Sequence, residues 1–174
     1  MKSTLPFLAL IRLALSAAAL AALVGQPALA DGVKTVKLRI GVAITEEISP
    51  GDSVACPAIG HIVGSGYSTE LGAVTVQATD CFVPDPTTPG SFNFYTRPLT
   101  FVTLSTANGQ LFGSYAGTAT GAPYPIESIS ASLKISGGTG RYANASGSAT
   151  IEGVENIGTM PAVGVLVISG RLSY

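Results

Sequence analysis

The sequence predicts an all-β protein: a single antiparallel eight-stranded barrel after an N-terminal signal peptide. Three observations carry that prediction. Apolar and polar residues alternate with period two through most of the chain after residue 30, whereas helical periodicity is hard to find. Turn residues fall between the alternating runs at the short spacing of a sandwich or barrel, leaving no room for crossover helices. Charged residues make up only 11% of the chain, too few to guard exposed sheet edges, so a sheet that closes on itself is the safer arrangement.

The first 30 residues read as an export signal. Lys2 opens the segment, Leu5 to Val24 is apolar apart from Arg12 and Ser16, and Ala28-Leu29-Ala30 supplies the small residues of a cleavage site. Arg12 and the Ala-x-Ala ending favour cleavage over a retained anchor, although the apolar stretch approaches the ~20 residues that span a bilayer. Cleavage leaves residues 31–174 as one domain, exported to the periplasm or secreted. That domain has seven Lys and Arg against ten Asp and Glu, so no basic excess points to nucleic acid.

The first strand places Val36, Leu38, Ile40, Val42 and Ile44 on one face and Lys37, Arg39, Gly41 and Ala43 on the other, and Pro50-Gly51-Asp52 breaks it. A short strand over Ile59 to Ser65 leads into a run from Tyr67 to Ala78, in which Val74, Val76 and Ala78 alternate with Thr75 and Gln77. Pro84, Pro86, Pro89 and Gly90 mark a rigid loop. Phe92 to Tyr95 and Leu99 to Ser105 follow, then Asn108-Gly109 as a hairpin turn and a return strand over Gln110 to Thr120. Ile129, Ala131, Leu133 and Ile135 alternate with serines and Lys134. The Gly137-Gly138-Thr139-Gly140 turn leads to Ala145, Gly147, Ala149 and Ile151, and Val163 to Tyr174 closes the chain.

Cys56 and Cys81 are the only cysteines, an even count that suggests a disulfide in an exported chain. Two ligands do not make a zinc site, and a nucleophilic thiol would have His61 as its only imidazole partner.

Several blocks, read together, resemble the bacterial secreted proteins with an allene oxide cyclase-like, dirigent-like β-barrel. They are Gly66-Tyr67-Ser68-Thr69-Glu70-Leu71-Gly72, the stretch from Ser105 to Tyr115, Ile135-Ser136-Gly137-Gly138-Thr139-Gly140-Arg141-Tyr142-Ala143 and Ile168-Ser169-Gly170-Arg171-Leu172-Ser173-Tyr174. The resemblance covers roughly Gly66 to Tyr174, and the glycine-rich third block followed by Gly147 is its most specific part. It implies an eight-stranded antiparallel barrel with a hydrophobic lumen. It implies less about activity, because such barrels include oxylipin cyclases, proteins that steer phenoxy-radical coupling and polyketide cyclases. No position matches a catalytic motif of the plant cyclases, and Glu70 stands where similar blocks carry histidine.

No motif asks for a cofactor or a metal. Gly137-Gly138-Thr139-Gly140-Arg141 lacks the lysine and helix of a phosphate-binding loop and reads as a turn. The single histidine, His61, reads as exposed or simply hydrogen-bonded, Glu46-Glu47 as a solvated strand end, and Glu127, Glu152 and Glu155 as too scattered to pair. Arg97, beside Tyr95 and before Pro98, reads as a surface ion pair. Asn144-Ala145-Ser146 fits a glycosylation sequon whose use depends on the host.

Two functions then stand first. A non-catalytic or ligand-binding barrel would hold a small hydrophobic molecule in its lumen, with Phe92, Phe94, Phe101, Phe112, Tyr115 and Tyr142 as the aromatic candidates for lining it, unless they are plain core. A cyclase or isomerase of such a molecule would work by shape, restricting the conformers of a reactive substrate, and would leave almost no motif. An outer-membrane barrel ranks third, on the alternation of Leu166, Ile168, Leu172 and Tyr174. Among partners the sequence offers a small hydrophobic molecule and a second copy paired through glycine-rich edges, with no nucleic acid and no stable membrane insertion after cleavage.

Overall fold

A computed structural model describes residues 33–121 and 124–174; the signal peptide assigned to residues 1–30 lies outside them. The strands are β1 (Thr35–Ser53), β2 (Cys56–Ser68), β3 (Gly72–Pro84), β4 (Ser91–Thr96), β5 (Val102–Thr106), β6 (Gly109–Gly121), β7 (Ile126–Gly138), β8 (Ser146–Asn156) and β9 (Ala162–Ser173). Every pairing is antiparallel, and β1 bonds to both β2 and β9, so the sheet closes. β4 and β5 share the place between β3 and β6. β4 lies against Asp80–Pro84, β5 against Thr75–Gln77. The result is a closed eight-stranded barrel with one extra strand.

The two strands match the two runs expected here, but the second starts at Val102 rather than at Leu99. Pro98 has no N–H to give to a ladder. Leu99 takes a left-handed φ of 67°, and the Thr100 N–H donates to the Arg97 carbonyl at 3.0 Å, so the chain turns here and resumes at Val102. The Thr79 carbonyl accepts from the Arg97 N–H (2.9 Å) and the Thr100 hydroxyl (3.3 Å), pinning the turn to β3. Two other expected boundaries also move. Pro50-Gly51-Asp52 does not end β1. Beyond Glu46 that strand has lost β9 and pairs with β2 alone, an edge where proline is tolerated, and the irregularity is absorbed as a register shift between Pro50 and Ser53. The run from Tyr67 to Ala78 is split by a turn that Gly72 completes with a φ of 78°, a conformation open to glycine.

Closure converts alternation into inside and outside. Leu38, Ile40, Val42 and Ile44 of β1, Val74, Val76 and Ala78 of β3, and Ala131, Leu133 and Ile135 of β7 are buried in one core. Ser128, Ser130, Ser132 and Lys134 of β7 and Ser148, Thr150 and Glu152 of β8 are exposed outside. Ile168 and Leu172 are buried and Leu166 packs half-buried against the same core. These residues therefore face the interior, opposite to the lipid-facing arrangement considered for the last strand. One end of the barrel is packed shut by Leu38, Leu104, Leu111 and Leu172 with Tyr142, which a single 3₁₀ turn (Gly140–Tyr142) inserts edge-on against Tyr174, ring centroids 5.1 Å apart. At that end the chain also meets itself: Lys34 and Tyr174 exchange backbone hydrogen bonds of 2.8 and 2.9 Å.

Cys56 and Cys81 form the expected disulfide, with Cα atoms 5.1 Å apart. It fixes the tip of the β1–β2 hairpin to the outer face of β3, over a small cluster of Ile59 and Tyr95. The Tyr95 hydroxyl donates to the Ala55 carbonyl at 2.7 Å, and Arg97 pairs with Asp52 on the same face. Such a bond forms and persists under oxidising conditions, as outside the cytoplasm. No helix among the described residues is long and apolar enough to cross a membrane. Replacing both cysteines with serine is expected to lower unfolding free energy by roughly 2–4 kcal/mol, the range for opening a loop of this size. Urea unfolding of the oxidised protein and the double variant measures the difference, and equal midpoints would show that the bridge adds nothing.

Candidate functional site

Below the packed end the core loosens into a cavity of about 60 Å³. On the measure in which one water needs roughly 10–15 Å³, this has room for a few waters or one small organic group. Its wall is apolar: Val42 and Ile44 (β1), Ile62 (β2), Val76 and Ala78 (β3), Phe94 (β4), Val102 (β5), Ile129 and Leu133 (β7), Ile151 (β8), and Leu166 and Ile168 (β9). The polar groups reaching it are Glu46, Asp80, Glu155 and Tyr115.

Each acid occupies the inward phase of its strand. Glu46 follows Ile44 by two residues, Asp80 follows Ala78 by two, and Glu155 lies four beyond Ile151, so the alternation that buries the aliphatic residues also buries the carboxyls. Glu46 and Asp80 are 1% exposed and Glu155 4%. Glu127 on β7, directly opposite Glu155 in register, is buried as well. Between the acid-bearing strands lie strands with little or no side chain at this level. Gly60 of β2 pairs with Asp80, and a β-carbon there would overlap Glu46 Oε1, Asp80 Oδ1 and the Phe82 ring. On β9, Ala162 pairs with Glu46 and Gly164 with Glu155. These small residues leave Glu46 free to approach Asp80 on one side and Glu155 on the other.

Tyr115 is held from behind. Where β4 ends, the Thr96 hydroxyl donates to the Tyr115 carbonyl at 3.2 Å and accepts from its N–H at 2.7 Å, continuing the ladder through a side chain. The Tyr115 hydroxyl donates to Asp80 Oδ2 at 2.9 Å, and its ring stands edge-on to Phe94 with centroids 5.9 Å apart. Asp80 Oδ1, Glu46 Oε1 and Glu155 Oε1 have no hydrogen-bond partner.

Burial determines the charge of this layer. It pushes Glu46 up to about 10, with Asp80 and Glu155 nearby adding to the rise. Burial lifts Asp80 to about 7, the Tyr115 hydrogen bond restraining the rise. It raises Glu155, and Glu127 too, and pushes the Tyr115 phenol well above its usual range. At neutral pH the layer therefore holds protons that solvated carboxyls would have released.

Of the six aromatic lining candidates, Phe94 and Tyr115 line the cavity. Phe92 is half-buried against the core and Tyr142 belongs to the packed end. Phe112 packs on Phe101, 58% exposed, with ring centroids 6.1 Å apart. Phe101 precedes inward-facing Val102, and this pair lies on the outer face. His61 is exposed on the outer face, with Nδ1 3.5 Å from the Thr79 hydroxyl. Arg97 makes the surface ion pair expected of it. The acidic layer is what sequence reasoning missed. Glu46 is buried rather than a solvated strand end, and Glu127 and Glu155 face one another across adjacent strands. The available signal was phase: each acid stands where its strand's alternation calls for an apolar residue. No protein-family model matches the sequence, and no curated protein matches it at a significant level.

Two outcomes follow. Asp80 and Glu46 hold protons in the folded state that the unfolded chain releases, so their contribution to stability is complete below their unfolded values of 3.8 and 4.5. It is lost as pH rises through about 7 and about 10. Stability is expected to fall from pH 5 to pH 8, by on the order of 1 kcal/mol per pH unit for each proton so held, and to fall less steeply in Asp80→Asn. Urea midpoints across that interval read the slope, and a rise with pH would contradict it. Separately, Gly60→Ala is expected to destabilise by about 1–3 kcal/mol through overpacking, whereas Gly41→Ala, whose new methyl meets nothing within 4 Å, is expected to be neutral or slightly stabilising. Equal midpoints for the two variants would refute the crowding above Gly60.

Proposed function

We propose that this chain is an exported barrel of the allene oxide cyclase-like type that takes a small, mainly hydrophobic ligand into its lumen, in a non-catalytic role in the periplasm or outside the cell. The observation that carries this reading is the apolar cavity inside a closed wall, with a few polar groups gathered at one end. That is the composition of a small-molecule site, in which apolar contact gives affinity and a few polar atoms fix orientation. The disulfide supports an extracytoplasmic location. Serine, threonine and charged residues on the outer faces of β7 and β8 support a barrel bathed in water rather than lipid.

One observation favours a catalytic second reading. Asp80, lifted by burial to about 7 and bonded to Tyr115, could give or take a proton near neutral pH inside an apolar chamber, as a cyclase or isomerase would require.

Native mass spectrometry of the full chain expressed in a bacterial host and purified without detergent tests the binding reading. The expected spectrum has a chain beginning at Asp31, a deficit of two hydrogens for the bridge and a stoichiometric small adduct. A chain that carries no adduct and binds no member of a panel of small hydrophobic probes would count against lumen binding. Incubation of an extracted adduct with fresh protein separates the two readings: unchanged ligand supports a carrier, and an isomer formed by the wild type but not by Asp80→Asn supports a catalyst.

A further inference from the structure

We infer that the lumen is built for a small organic cation, an ammonium group on a short apolar body, received by Glu46, Asp80 and Glu155. The inference rests on the lumen-binding reading above and specifies its ligand. The three carboxyls come from β1, β3 and β8, are almost completely buried, reach one cavity, and each presents one oxygen without a partner. A primary ammonium has three N–H donors and no acceptor, so its hydrogen-bonding capacity matches three orphan acceptors. Tyr115 occupies the other oxygen of Asp80, and Oδ1 is left without a partner beside Gly60.

The protein supplies no counter-charge of its own. Among the described residues, Lys37, Arg39, Lys134 and Arg171 are exposed on the outer wall, and Arg97 pairs with Asp52 outside the barrel. Lys34 and Arg141 lie over the Tyr174 ring, and Tyr174 packs on Tyr142 of the packed end. His61 is exposed. A buried acidic layer with no cationic side chain beside it stays neutral by keeping its protons, and those protons can be exchanged for a cation from solvent. A metal ion suits it poorly. The wall beyond the three carboxyls is hydrocarbon, unlike the six to eight oxygens that a calcium ion takes. An ammonium needs only hydrogen-bond acceptors at one end, and its apolar body takes the remaining wall. The cavity volume limits that body to a few carbons unless the rest of the molecule lies outside.

Binding then exchanges one positive charge for another. Without a cation the layer keeps its protons because burial disfavours the charged form; an ammonium favours ionised carboxylates, so its entry expels a proton to solvent. The groups facing this exchange are Glu46 from β1, Asp80 from β3, Tyr115 from β6, Glu127 from β7 and Glu155 from β8, all acidic. β2, β4 and β9 contribute Gly60, Thr96 with Phe94, and Ala162 with Gly164. Affinity is therefore expected to rise with pH until the amine itself loses its proton near 10.4.

The test uses the oxidised full-length product and three probes of one size: n-propylammonium chloride, n-propanol and sodium propionate. Titration calorimetry at pH 5.5 and 8, in buffers of different ionisation enthalpy, gives affinity and protons released. Propylammonium is expected to bind at least tenfold more tightly at pH 8 than at pH 5.5 with release of about one proton, and more tightly than either other probe. Glu46→Gln and Asp80→Asn are expected to weaken it at least tenfold and to flatten the pH dependence of its binding. If propanol or propionate binds as well as the cation and is indifferent to pH, the cation inference is overturned while lumen binding stands. If none of the three binds at any pH, both are overturned. The probe and pH series is read on the wild type, so the outcome does not depend on how the variants fold.

Discussion

Everything in this molecule follows from the backbone ladder joining β1 to β9. Without it the sheet has two long edges and two faces, and the alternating residues have no defined interior. With it, each strand's phase decides burial, and the same rule that buries Ile44 also buries Glu46 two residues later. Closure also determines which residues face one another across the lumen. Carboxyls separated by up to 109 positions, as Glu46 and Glu155 are, come near enough to raise the Glu46 pKa, with only Ala162 and Gly164 of β9 between them.

The sequence made the architecture legible where one physical signal dominated. Period-two alternation marked β1, β7 and the inner face of β3, and Asn108-Gly109 marked the β5–β6 hairpin. Two cysteines, an even count in a chain expected to be exported, sufficed for the disulfide. Legibility failed where two signals competed. Proline usually ends a strand, yet Pro50 stands in β1 because that stretch is an edge on one side, a fact about β9 that no local window contains. Leu99 looked like the start of a strand by hydrophobicity, but Pro98 and the Thr79 carbonyl turn the chain there. The acids were misread for a related reason. A charged residue at a strand end is usually solvated, and that tendency competes with phase. Glu46, Asp80, Glu127 and Glu155 all keep the inward phase of their strands, and nothing local distinguishes such a residue from a surface one except that phase.

A fold that buries four acidic side chains around an apolar space carries a standing penalty. Orphan oxygens on buried carboxyls cost roughly 1–3 kcal/mol each when unmade. The barrel tolerates this because the opposite end is close-packed with leucines and Tyr142, and because the outer face of β3 is clamped to the hairpin tip immediately beside Asp80. Close packing and the disulfide lie at one end and on the outer wall, and the unpartnered carboxyl oxygens at the other end, inside.

The meeting of Lys34 and Tyr174 has a consequence for the order of events in folding. The strand made first and the strand made last are neighbours, so a chain that emerges N-terminus first holds β1 with one edge open while all the intervening strands appear. Hairpins β1–β2, β2–β3 and β6–β7 can form as their residues emerge, since their partners are close in sequence. The lumen cannot. It has no inside until β9 slots between β8 and β1, and at that single step the last open edge disappears and the acids leave water together.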